Sequence, residues 1–358
     1  MSAASPIDGA AKERLRAKIL SLGFDAVGFT SAGEYSRPEA LKRWVAAGRH
    51  GEMAWMERNL PRRLSLAEVM PEARSVVVVG LNYLTPEPAM PGGVTARYSR
   101  AEDYHFGMES CLKQVEALLR DACEGDCACR SYVDTGPLQE RELAWRAGLG
   151  WQGKSTVLIS RAHGTWLLLG EVLTSAVIAP DEPAAHRCGS CRKCVDACPT
   201  NAIVADYELD ARRCIAYLTI ELKGAIPLEF REAVGARVFG CDDCLAACPW
   251  NRFARESSSF QSFARSDLAR LDLLEVLAMD SVEFLRKFRR TPIHRLGLRR
   301  LQRNAAVVLG NIGGEEALAV LRALAGGADE LLAEHAAWAI DRIGRRTQRA
   351  VDEAAGAS

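Results

Sequence analysis

The chain has 358 residues, with 46 Lys plus Arg set against 46 Asp plus Glu, 48% hydrophobic and 26% charged residues. This size and balance exclude a single small module, wholesale disorder and a uniformly basic nucleic-acid binder, but leave local patches of charge open. Residues 1 to 20 lack an apolar stretch behind a basic one, and no later window nears about 18 uninterrupted apolar residues, so a cytoplasmic chain without a membrane partner is expected.

In chain order, residues 11–22 read as an amphipathic helix stopped by Gly23, and 24–29 as a short strand. Residues 75–82, with Val76-Val77-Val78-Val79, read as a buried strand, followed by a Pro- and Gly-rich loop over 83–93. Helical periods follow at 107–122 and 137–147, and strand-like runs at 156–160 and 165–179. The fold class expected is α+β, of α/β type, for residues 1–180. Residues 181–255 break into short segments between cysteines. From about Leu268 the pattern is helical, and Arg303–Gly313 aligns with Glu334–Gly344 at a spacing of 31 residues, the signature of HEAT-like helix pairs or of a plain helical cap.

Eight of the 12 cysteines lie between Cys188 and Cys248. In a reducing compartment such thiols are metal ligands before they are disulfides. Cys188-x-x-Cys191-x-x-Cys194-x-x-x-Cys198-Pro199 has the bacterial ferredoxin spacing, in which the fourth cysteine ligates the neighbouring cluster. A second run, Cys241-x-x-Cys244-x-x-x-Cys248-Pro249, has Val238 where a cysteine belongs, and Cys214 is the substitute. Crossed fourth ligands then assign Cys188, Cys191, Cys194 and Cys248 to one [4Fe-4S] cluster, and Cys198, Cys214, Cys241 and Cys244 to the other. Two clusters imply an external one-electron donor such as a flavodoxin or ferredoxin. Cys111, Cys123, Cys127 and Cys129 read as free thiols.

Gly148-Leu-Gly-Trp-Gln-Gly-Lys154-Ser155 fits two phosphate-binding patterns, but its context runs from helix to strand instead of strand to helix, so it reads as a glycine-rich turn. Asp103-Tyr-His105-Phe-Gly107 misses a D-x-H-x-x-G cobalamin motif by one place, which leaves His105 as a surface or turn histidine. Asp134 reads equally as an Asx turn ahead of Thr135-Gly136-Pro137 or as a catalytic acid.

The order of motifs nevertheless resembles one family: Tyr132-Val-Asp134-Thr-Gly-Pro137, Glu140-Arg141, Ala147-Gly-Leu-Gly-Trp151-Gln-Gly-Lys154-Ser-Thr156, both cysteine runs, Arg213-Cys214 to Glu221, and Gly240-Cys241-Asp242-Asp243-Cys244. The chain is similar to epoxyqueuosine reductase, the cobalamin-dependent iron–sulfur enzyme of tRNA queuosine synthesis. Ser155 and Ala216 depart from it, standing where Asn and Ser are common. The resemblance implies a nitroreductase-like domain over 1–180 that holds cobalamin base-off without a histidine ligand. It implies further a two-cluster ferredoxin-like module over 181–255, a HEAT-like tRNA-binding domain over 256–350 and a disordered tail at 351–358, in a monomer. It makes Asp134 the proton donor, a role that calls for a raised pKa. Arg58, Arg97, Tyr98, Asp134, Lys154, Ser155, Thr156, Cys241 and Asp242 become candidates for the corrin site, the arginines reading otherwise as solvated charges or ion pairs.

Between residues 281 and 303 the cations Arg286, Lys287, Arg289, Arg290, Arg295, Arg299, Arg300 and Arg303 face one acid, Glu283, which is either a solvated helix face or a surface for RNA phosphates. With Lys223, six of these are tRNA-contact candidates: Arg286, Lys287, Arg295, Arg299, Arg300 and Arg303. The competing readings are a corrinoid iron–sulfur reductase of a small molecule and an electron-transfer scaffold; the first usually carries a twin-arginine leader, absent from this N-terminus, and the second leaves the α/β domain without a role.

Overall fold

A computed structural model describes residues 7–87, 91–123, 127–257, 260 and 263–356 of the chain. Its strands are β1 (Ala26–Ser31), β2 (Ser75–Asn82), β3 (Gly93–Thr95), β4 (Cys129–Tyr132), β5 (Leu167–Thr174), β6 (Arg237–Phe239) and β7 (Arg270–Leu271), apart from two short hairpins at 151–159 and 203–209. The helices that position the site are α1 (Gly9–Leu20), α2 (Tyr104–Ala122), α3 (Glu140–Arg146), α4 (Ile215–Ile220), α5 (Leu228–Val234), α6 (Leu273–Ala278), α7 (Ser281–Phe288), α8 (Leu298–Ile312), α9 (Leu318–Ala325) and α10 (Glu330–Gly356).

The four consecutive valines of β2 are each fully buried, because the antiparallel sheet β1-β2-β5-β4 is covered on both faces. Side chains alternate across a strand. Val77 and Val79 pack with Leu15 and Ile19 of α1 and Met108, Leu112 and Val115 of α2. Val76 and Val78 pack on the other face with Leu143 and Ala144 of α3, Leu66 and Met70. Helix α2 starts at Tyr104, ahead of the expected 107, because Asp103 caps it through the His105 N–H at 3.2 Å.

A second sheet, β6-β3-β7, takes one strand from each of the three expected modules. One hydrophobic core runs from Ile215 to Ile343, across the boundary expected after residue 255. The 31-residue repeat falls on α8 and α10, which pack against each other: a Cβ on Gly310 would lie 2.6 Å from the Trp338 ring, so the small residue sets their approach. Helix α10 continues to Gly356, into the segment expected as a tail. Among the described residues no helix is long and apolar enough to cross a membrane.

Candidate active site

Beyond β4 the chain turns sharply. Val133 is buried, Asp134 takes the left-handed conformation (φ 54), and the Tyr132 ring packs on Gly136 so closely that a Cβ there would lie 2.5 Å from it. The Asp134 N–H donates to Glu140 Oε1 at the start of α3 (2.8 Å). Its carboxylate accepts no backbone bond among the described residues, so the Asx turn open to the sequence is not formed; it faces His105 instead, with Oδ2 3.5 Å from Nε2.

His105 is buried and not at the surface as expected. Its Nδ1 donates to Asp103 Oδ1 at 2.6 Å, and the Arg295 guanidinium closes the row 3.3 Å from Asp103 Oδ2. Burial disfavours the imidazolium, but the hydrogen bonds to Asp103 and Asp134 outweigh it and raise the His105 pKa to about 9. The same His105 bond, against burial and with help from Arg295 and Arg141, holds Asp134 below the usual carboxylate range. The raised pKa that proton donation calls for is thus not seen at Asp134 in this structure, where the two groups shift apart, His105 up and Asp134 down.

Asp134 exposes 59% of its side chain, yet charged and aromatic groups ring it. Tyr98 and Tyr104 meet edge to face at 6.2 Å, and both phenols are driven above their ordinary pKa by burial and then by the Asp134 charge. Behind it, burial and Asp134 push Glu140 up to about 7. Glu171, paired with Tyr132 across the sheet, is fully buried with both carboxyl oxygens unpartnered, and burial raises it strongly. On the far wall the Arg97 N–H donates to Asp242 Oδ2 (2.8 Å), whose pKa burial raises, while the Arg97 guanidinium pairs with Glu87 and lies over Trp166.

The cysteines gather into two neighbourhoods. Cys248 feels the Cys188, Cys194 and Cys191 thiols; Cys244 feels Cys214, Cys241 and Cys198. Burial pushes Cys241 up to about 12 and raises Cys214 and Cys244, so these thiols ionise readily only against a cation. The second group adjoins Asp242 and Tyr83. The first adjoins Trp151, whose Nε1 donates to Cys188 Sγ at 3.4 Å, and Ser155, which hydrogen-bonds Cys194.

Arg97, Tyr98, Asp134, Cys241 and Asp242 thus converge on one region. Lys154 and Ser155 face the cluster module instead, where Lys154 is buried and paired with Asp206 at 2.9 Å. Thr156 is left-handed (φ 68) in the same turn, and Arg58 is exposed without a polar partner among the described residues. Of the basic candidates, Lys223, Arg299 and Arg300 line a cavity of about 360 Å³ with Leu296 to Leu298, and Arg300 donates to the Arg295 carbonyl (3.1 Å), linking the cavity to the Asp134 row. Arg299 is held by Asp329 at 2.5 and 2.8 Å, and Lys287 by Glu275 at 2.6 Å; Arg286 is exposed. Arg303 is a correction. It is fully buried, donating to the carbonyls of Leu218, Leu222 and Gly224 at the end of α4, and cannot reach a phosphate. The residues missed from sequence are Asp103, His105 as a site residue, Glu140 as an active-site acid and Glu171; the Asp103-x-His105 spacing at a helix start was the available signal.

Residues 63–135 match the family described as "Epoxyqueuosine reductase QueG, DUF1730", and 187–251 that described as "4Fe-4S double cluster binding domain". An epoxyqueuosine reductase of Xanthomonas campestris is 41% identical over 349 residues, covering 95% of this chain and 97% of the relative. A crystal structure of epoxyqueuosine reductase with an epoxyqueuosine-modified tRNA-Tyr stem loop superposes with a TM-score of 0.87 at 32% identity, covering 94% of this chain and 90% of that one. The Bacillus subtilis enzyme, in a structure with its catalytic loop swung out of the active site, gives 0.85 at 31% identity over 93% and 90%. With sequence likeness across almost its whole length, the chain belongs to the epoxyqueuosine reductase family of oxidoreductases.

Proposed function

We propose that the chain reduces the epoxide of epoxyqueuosine at the wobble position of a tRNA anticodon loop to the alkene of queuosine. Two electrons and two protons enter, both carbon–oxygen bonds break, and the oxygen leaves as water. The observation that carries this reading is the Asp103–His105–Asp134 row, which opens onto a region bordered by the second cysteine group and by the basic cavity.

Each cysteine group fits one [4Fe-4S] cluster: four crowded, partly buried thiols need a cation to become thiolates. The wall of Arg97, Tyr98, Cys241 and Asp242 would hold the cobalamin, and the adjacent His105, with both ring nitrogens engaged by carboxylates, has none free for another partner. The buried, unpartnered Nε of Arg63, within the field of Asp134, is a donor available to a bound polar group. When bound, cobalamin supplies low-potential electron chemistry for breaking the carbon–oxygen bond.

The protein residues supply the proton and the position. His105 holds the proton on Nε2 and Asp134 carries it to the departing oxygen, the carboxylate acting as conduit and the imidazolium as source. The Tyr98 and Tyr104 rings provide apolar walls for a base splayed out of its loop, and Lys223, Arg299 and Arg300 lie where backbone phosphates would rest.

The test is an anaerobic single-turnover assay on tRNA bearing epoxyqueuosine, with clusters and cobalamin loaded and the nucleoside read by mass spectrometry. Loss of one oxygen mass, dependent on cobalamin and reductant, is expected, with Asp134→Asn slower by about 100-fold. An unchanged nucleoside with every cofactor bound would overturn the tRNA reading and favour a small-molecule substrate.

A further inference from the structure

From the first cysteine group, aromatic rings reach the surface in series. Trp151, bonded to Cys188 Sγ, meets Trp250 edge-on at 5.0 Å, and Trp250 meets Phe253 at 5.6 Å. Phe253 is 46% exposed, with the Arg252 guanidinium 4.5 Å from its ring. Arg161, Arg187, Trp250 and Phe253 line a cavity of about 250 Å³.

Arg161, Arg187 and Arg252 are exposed and form no ion pair with any described residue. The neighbouring acid Asp206 is already held by Lys154 and Arg192. Along residues 187–198 three cations, Arg187, Arg192 and Lys193, stand against the single acid Asp196. A neutral protein thus presents uncompensated arginines around an exposed aromatic ring, which Trp250 and Trp151 connect to Cys188. An exposed aromatic in a charged rim is the make-up of a small, fast-exchanging interface, and such encounters are steered by complementary charge.

We propose that this face, Phe253 ringed by Arg161, Arg187 and Arg252, docks an acidic one-electron carrier protein that reduces the cluster held by Cys188, Cys191, Cys194 and Cys248. The inference rests on the cluster assignment made above. Each encounter oxidises the carrier by one electron and reduces the cluster by one, so two encounters supply the pair consumed per epoxide.

The experiment follows anaerobic reduction of the cluster-loaded enzyme by stopped flow, with a reduced acidic [2Fe-2S] ferredoxin as probe and dithionite as a carrier-independent reductant. The variant Arg161→Glu/Arg187→Glu/Arg252→Glu is expected to lower the ferredoxin rate constant by about tenfold or more at low salt and to flatten its salt dependence. Dithionite-driven turnover on tRNA should persist in it. Phe253→Ala should lower the ferredoxin rate without changing the salt slope. A ferredoxin rate and salt slope equal to the parent's, with clusters that dithionite reduces, would overturn the docking face alone. A parent enzyme with no dithionite-reducible [4Fe-4S] signal would overturn the cluster assignment and the docking face together.

Discussion

His105 holds its proton because two carboxylates flank one ring, Asp103 from the start of its own helix and Asp134 from beyond β4, and this fixes the pH behaviour of the site. With its pKa raised to about 9, the imidazolium is intact at neutral pH and is lost as pH rises through that value. Single-turnover rates should therefore be flat from about pH 7 to 8 and fall above about 9. In His105→Gln this alkaline limb should vanish and the rate should drop at all pH values; an unchanged limb would remove His105 from proton delivery. Glu171 shows the same sign, in a stability and not a rate. Its folded pKa is raised, so the native state keeps a proton that the unfolded chain releases, and stability declines as pH climbs from the ordinary carboxylate range. Glu171→Gln should melt close to the parent at pH 5 and higher than it at pH 8, as read by thermal denaturation at the two pH values.

At the scale of elements, the approach of α8 to α10 depends on having no side chain at Gly310, where a Cβ would lie 2.6 Å from the Trp338 ring and 3.0 Å from the Ala339 backbone. Gly310→Ala should destabilise the chain by about 1–3 kcal/mol despite the better helix propensity of alanine, measured as a lower denaturant midpoint. The repeat spacing was legible in the sequence because both copies keep an Ala-Ala pair and an Ile-Gly end, whereas Gly310 itself has Asp341 as its counterpart. The start of α2 was read three residues late, since the apolar period begins after the cap and Asp103 was not taken as one. Residues 137–139 ahead of α3 read as helix but lie outside it, the helix starting only at Glu140, whose side chain is drawn to the Asp134 N–H.

Across the whole molecule, Arg300 and Arg295 join the basic cavity to the Asp134 row, so the surface proposed for tRNA adjoins the row proposed for proton delivery. Lys223→Glu with Arg299→Glu should weaken tRNA binding and reduce the slope of log affinity against log salt by about one for each phosphate no longer neutralised. Filter binding across a salt series checks this, and a slope equal to the parent's would remove the cavity from the RNA path. The cysteine groups were readable because cluster ligands are set by spacing within short segments, which a linear sequence displays directly. So was β2, because a strand covered on both faces must be apolar throughout. The basic run was only partly readable, since net charge does not tell a solvated arginine from one folded inward. Arg303 caps the carbonyls ending α4, while Arg299 stays at the surface on the same helix. Composition, motif order and local spacing determined the family resemblance, the two sets of four thiols and the central strand. Only the tertiary structure decided that Asp103, His105, Asp134 and Arg295 meet, because a proton shared among them depends on distances between segments far apart in sequence.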